Sequence, residues 1–203
     1  MIRQVKALPY VLMEQLKRTE SAALEAHRFV SVIEPQGGVR IFAENSDQNR
    51  ILTLFFDEVS PCMWQTQAEY DQVVEQFRLR GLKFVIFDGG HADQIIDLVV
   101  SARANPAQET LFVNCSLGVA RSGAIVRFVA DVLSLDETEF RELNPHIEPN
   151  EHVLHVLYKR WQERGLSAAV FEGEAGAHCP CGRLHRPESP PAAKNQISAA
   201  DIF

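Results

Sequence analysis

Residues 111–133 read LFVNCSLGVARSGAIVRFVADVL. The apolar run ETLFVN (109–114) has the length and composition of a buried strand and ends at Asn114. An eight-residue loop, CSLGVARS, follows, and GAIVRFVADVL has the apolar spacing of an amphipathic helix. In open α/β sheets ligands bind beyond the carboxyl ends of the strands. The loop therefore lies where a site is expected.

Working outward, the same alternation recurs. IRQVKAL (2–8) reads as a first strand, with Pro9 suited to the first turn of a helix over PYVLMEQLKR. HRFVSVIEP (27–35) reads as a strand stopped by proline, and VRIF (39–42) has some strand character within a loop. ILTLFF (51–56) and KFVIF (83–87) are short apolar runs of strand length. QAEYDQVVEQFRLRG reads as a helix stopped by Gly81, and HADQIIDLVVSARAN as another helix. Asp136 is placed to cap a short helix, DETEFREL, and NEHVLHVLYKRWQERG closes the globular part. Strands alternating with helices predict an α/β fold with a mostly parallel central sheet flanked by helices. The domain is expected over 1–171; four of the ten prolines fall in 172–203, which reads as a tail or loosely docked extension.

The chain has 203 residues, 46% hydrophobic and 23% charged, an ordinary globular composition. A net charge of -7 disfavours general nucleic-acid or anionic-membrane binding. No apolar run reaches the ~18 residues of a membrane span, and the basic start lacks the sustained apolar stretch of a signal peptide. The four cysteines, Cys62, Cys115, Cys179 and Cys181, are too few and scattered for a disulfide framework. A reduced, cytoplasmic protein is the expectation.

The loop has a chemical logic. Five residues separate Cys115 from Arg121, enough to close around one tetrahedral anion. The backbone N–H groups of Ser116, Leu117, Gly118, Val119, Ala120 and Arg121 can form a concave donor nest, with Gly118 permitting a conformation that a Cβ would penalise. Ser122 and Gly123 lie at a helix start, which also favours an anion. Arg121 adds a planar fork able to hold two phosphate oxygens. Donors that hold a phosphate also stabilise a thiolate, so a cysteine at the loop base is a candidate nucleophile.

On these residues the sequence resembles the protein tyrosine phosphatase superfamily, whose signature is a Cys, five residues, an Arg, then Ser or Thr. It stands here as Cys115-Ser116-Leu117-Gly118-Val119-Ala120-Arg121-Ser122. The short chain looks like the dual-specificity branch, particularly small bacterial and phage-type members, and the stretch from Asn144 to Asn150 (NPHIEPN) resembles a turn that follows their signature. The resemblance spans roughly 27–160 and is sharp at the loop. It implies a phosphotyrosine protein phosphatase-like fold and hydrolysis of phosphomonoesters through a phosphocysteine on Cys115, with no cofactor and no metal. Ser122 would help the thiolate to leave. Phosphorylated proteins or small phosphomonoesters would be the substrates. One position departs: the family usually has a histidine before the cysteine, and this chain has Asn114. Asparagine donates hydrogen bonds but cannot become cationic.

A general acid is also required. Asp57 follows ILTLFF and Asp88 follows KFVIF, both at predicted strand ends, and Glu58 is adjacent. The family's order of strand, aspartate, loop and helix favours Asp57; a strand-end turn or a helix cap is the alternative role for each carboxylate. Cys62 is a possible oxidation partner of Cys115. His178, Cys179, Cys181 and His185 have metal-like ligand types, but Cys-x-Cys is too short for the usual zinc knuckle. His152, His155 and Trp161 read as packing or surface residues on a helix, and Lys159-Arg160 is too small a cluster for nucleic acid. Two rival functions use the same loop: a catalytically weak phosphate-binding (pseudophosphatase) module, and sulfur transfer or arsenate reduction.

Overall fold

The segment Glu109–Cys115 has parallel partners on both sides and forms the middle of the sheet. In the computed structural model, residues 1–19, 26–43, 47, 50–59, 66–82, 84–103 and 109–166 are described. The elements are β1 (Ile2–Pro9), α1 (Tyr10–Thr19), β2 (Arg28–Ile33), β3 (Ile51–Phe55), α2 (Gln67–Leu79), α3 (Gly89–Arg103), β4 (Glu109–Cys115), α4 (Arg121–Val132), α5 (Glu137–Leu143) and α6 (Glu151–Glu163). The four strands run in the order β1-β4-β2-β3, all parallel, so the expected parallel α/β sheet is present.

Both faces of the sheet are covered. Val5, Ala7, Val30, Val32, Leu54, Leu111 and Val113 share one core with Ile95 and Val99 of α3, Ile125 and Val129 of α4, and Val153 and Trp161 of α6. Leu8, Phe29 and Phe112 point the other way, against Met13 of α1 and against Ile41 and Phe42. Burial on both sides explains why these strands are nearly continuous apolar runs. Each fully buried Leu, Ile or Phe contributes ~1.5–3 kcal/mol.

The outer edge of β1 is closed by a side chain. Asn144 Nδ2 donates to Val5 O (2.9 Å), and its Oδ1 accepts from Ala7 N–H (2.8 Å). The amide thus takes two of the backbone bonds that a further strand would have made. At the opposite, amino end of the sheet, buried Arg28 and Glu109 pair at 2.6 Å.

Three local expectations are corrected. Pro9 is the last residue of β1, paired with Cys115, and α1 begins at Tyr10. VRIF is not a strand; Ile41 and Phe42 plug the α1 face from a bend. Within KFVIF, residues 84–87 are not a strand either. Val85 O accepts from Asp57 N–H (2.8 Å), but Val85 N–H donates to the Asp57 carboxylate (2.8 Å) instead of to a strand carbonyl. That side chain ends the ladder after one backbone bond. Asp136 caps α5 as expected, accepting from Glu139 N–H at 2.8 Å. The 172–203 extension lies outside the described residues. Among those described, no helix is long and apolar enough to cross a membrane.

Candidate functional site

β4 delivers Cys115 to the carboxyl edge of the sheet, and α4 begins at Arg121. The six intervening steps of chain close on the sulfur. Gly118 N–H donates to Cys115 Sγ at 3.2 Å, and Ser122 Oγ lies 3.2 Å from the same atom. Cys115 is a free thiol, 1% exposed.

The loop sits directly on the end of β1. Tyr10 N–H donates to Ser116 O at 3.3 Å. Gly118 has φ +76°, and a Cβ there would fall 2.5 Å from both the Leu8 carbonyl carbon and the Pro9 nitrogen. Glycine is required twice, for the left-handed backbone and for the close approach. The far side of the loop is braced by the 144–150 turn. Glu148 N–H donates to Val119 O (3.4 Å), Asn150 N–H donates to Ala120 O (3.1 Å), and a Cβ on Gly123 would meet Ile147 at 3.1 Å. Leu117 stands out from the loop, 70% exposed.

Arg121 is 1% exposed, and its guanidinium is held from three sides. One terminal nitrogen donates to Phe56 O (3.1 Å); the other donates to Glu34 Oε1 (2.9 Å) and Ser116 Oγ (3.1 Å). Ser116 Oγ in turn donates to Glu34 Oε1 at 2.8 Å. The Ser116 hydroxyl and then the Arg121 guanidinium hold the Glu34 carboxyl below its ordinary value, against the opposing effect of burial. Glu58 Oε2 is 3.3 Å from Arg121 Nε. That contact is an ion pair without hydrogen-bond alignment, so the buried Nε–H makes no hydrogen bond among the described residues.

The two candidate acids differ. Burial pushes the Asp57 carboxyl above its ordinary value, against the Val85 N–H bond and the Arg121 charge. Asp57 directly follows Phe56, whose carbonyl holds Arg121. Asp88 caps the start of α3, accepting from Gly90 N–H (3.0 Å) and His91 N–H (3.1 Å) and meeting His91 Nδ1 at 2.7 Å. Partial burial pushes its carboxyl up, but the His91 and Gly90 bonds outweigh it and leave the carboxyl below its ordinary value. Burial thus favours the protonated form of Asp57, and the cap hydrogen bonds favour the ionised form of Asp88.

Asn114 is buried, yet neither its Nδ2 nor its Oδ1 has a hydrogen-bond partner among the described residues. It pairs in register with Ser31, whose buried Oγ is also unpartnered. The amide does not tie down the loop.

Glu34 is the residue that sequence reasoning missed. It follows the β2 run at the carboxyl edge of the sheet, as Asp57 follows β3, and the same positional rule applied there finds it. His152 Nε2 contacts Phe87 O at 2.9 Å and Trp161 is buried in the core, which fits the packing roles read for them. Cys62, Cys179, Cys181, His178 and His185 lie outside the described residues. Among the described residues, no group of three or more His, Cys, Asp or Glu could hold a metal ion. No protein-family model, curated protein or solved structure matches this chain.

Proposed function

We propose that this chain is a cysteine-dependent phosphomonoester hydrolase of protein-tyrosine or dual-specificity type. One observation carries the reading: a buried arginine, with an unsatisfied Nε–H, closes the same loop whose Gly118 amide and Ser122 hydroxyl converge on Cys115 Sγ. A buried N–H donor without an acceptor is costly, and a phosphoryl oxygen would satisfy it.

The thiolate of Cys115 attacks phosphorus, and the P–O bond to the leaving group breaks. Arg121 and the loop amides hold the phosphoryl oxygens through the transition state. Asp57, whose carboxyl burial pushes above its ordinary value, gives its proton to the departing oxygen, a contribution of roughly 10²–10⁴ in rate. Water then attacks the phosphocysteine while the Asp57 carboxylate takes its proton. The S–P bond breaks, inorganic phosphate leaves, and the Ser122 hydroxyl stabilises the released thiolate across 3.2 Å. Arg121 supplies the positive charge that faces the phosphoryl oxygens.

The unpartnered Asn114 amide favours a second reading, a phosphate-binding module with weak turnover, because nothing at that position orders the loop. Hydrolysis of an aryl phosphate by the wild-type chain and by Cys115→Ser, beside calorimetric binding of inorganic phosphate, separates the two. The hydrolase reading expects turnover by the wild type, none by Cys115→Ser, and retained phosphate binding in both. Appreciable turnover by Cys115→Ser refutes the covalent scheme. Binding without turnover in the wild type selects the second reading.

A further inference from the structure

We propose that Glu58 sets the affinity of this site for oxyanions, by holding its carboxylate against the Arg121 edge that an incoming phosphoryl group would take. The inference rests on the phosphate-cradle reading above. Three donor positions of Arg121 are already committed, to Phe56 O, Glu34 Oε1 and Ser116 Oγ. Two N–H positions are left, the second on the Phe56-bonded nitrogen and the Nε–H, and Glu58 Oε2 stands 3.3 Å from Nε. A phosphoryl oxygen that takes the Nε–H therefore competes with the Glu58 carboxylate for that edge.

The two glutamates at Arg121 are not equivalent. Glu34 is fixed by hydrogen bonds from both Arg121 and Ser116, which makes it the permanent support of the guanidinium. Among the described residues Glu58 is held by charge alone, and its side chain is 45% exposed. It can turn out to solvent at the cost of one unaligned ion pair. Its neighbour need not follow, because the Asp57 backbone N–H and carboxylate are both bonded to Val85. Rotation of the Glu58 side chain thus clears the cradle while the proton donor stays in place.

Charge sets the direction of the effect. One guanidinium faces two carboxylates, a local sum of minus one before any substrate arrives. A phosphate must displace Glu58 or tolerate it, and both lower its affinity. Neutralising Glu58 without changing its shape removes the competitor and keeps Glu34.

The test uses the full chain in the Cys115→Ser background, with inorganic phosphate as the probe at fixed pH and ionic strength. Calorimetry should give a dissociation constant about tenfold lower for Cys115→Ser/Glu58→Gln than for Cys115→Ser, or ~1.4 kcal/mol. Cys115→Ser/Glu58→Ala should shift in the same direction, which covers a failure of the glutamine variant to fold. Equal or weaker phosphate binding in a folded variant overturns the inference and makes Glu58 a second support of Arg121. If Cys115→Ser itself binds no phosphate, the cradle reading falls and this inference falls with it. That outcome is distinct from a Cys115→Ser protein that binds and a Glu58 variant that binds no better.

Discussion

In a Gly118→Ala variant the new Cβ meets the carbonyl carbon of Leu8 and the nitrogen of Pro9, both at 2.5 Å. Ordinary carbon contacts begin near 3.4 Å, so the loop must lift from β1 by about 1 Å, because neither partner is a side chain that can turn away. Two costs add. An L side chain in the left-handed region costs ~1–2 kcal/mol, and forcing a methyl group into packed backbone costs a further ~1–3 kcal/mol. The expected loss of stability is ~2–5 kcal/mol, read as a fall in the urea midpoint at unchanged slope. The same lift draws the Gly118 N–H off Cys115 Sγ, now at 3.2 Å. A displacement of this size at a reacting group costs about 10²-fold in rate, so aryl-phosphate kcat/KM should fall by at least that factor in the molecules that remain folded. Gly89→Ala is the control: its Cβ would meet nothing within 4 Å, and stability should stay within about 0.5 kcal/mol. If Gly118→Ala keeps its midpoint and its activity, the loop does not rest on Leu8 and Pro9, and the reasoning is refuted.

Asp57→Asn should slow esters with poor leaving groups far more than those with good ones, and should remove the alkaline limb of the pH–rate profile. Burial raises the Asp57 carboxyl above its ordinary value, so activity should fall as pH rises and its proton is lost. Because the folded carboxyl lies above its unfolded value, its ionisation costs stability. That cost is absent below the unfolded pKa and complete above the folded one, so Asp57→Asn should unfold later than wild type near neutral pH and equally in strong acid. Asp88→Asn, which alters an ionised cap, should show neither the leaving-group dependence nor the lost limb; the reverse pattern would transfer the role to Asp88. Asn114→Leu should raise stability by ~1–2 kcal/mol in urea unfolding, since it removes two buried polar atoms without partners; a fall would mean that the amide is satisfied.

The strand–loop–helix around Cys115 was legible because several local signals agree there: an apolar run, a glycine within the loop and a 3.6-residue period after it. The parallel sheet was legible for the same reason. KFVIF misled because an apolar run of strand length does not say whether its backbone has a partner, and Asp57 spends a side chain on Val85 N–H. Glu34 was hidden by distance: 87 positions separate it from Arg121, and no periodicity links them. Asn144 stands in the NPHIEPN turn, but its bonding to the β1 edge is a tertiary fact. The choice between Asp57 and Asp88 depends on burial and local donors, which a single sequence does not print.

The seat of the loop on Leu8 and Pro9 also fixes when the site can exist during synthesis. β1 leaves the ribosome long before the strand it pairs with, and Pro9 waits for Cys115 across more than a hundred positions. At ~5–20 residues per second, that interval is about 5–20 s. Throughout it β1 has neither the β4 ladder on one side nor the Asn144 amide on the other. Pairing over such a separation is slow, because loop closure is unfavourable until both strands are present. The nascent chain therefore carries Cys115 out of the ribosome before the platform beneath its loop has assembled, and docking of β1 gates the maturation of the site.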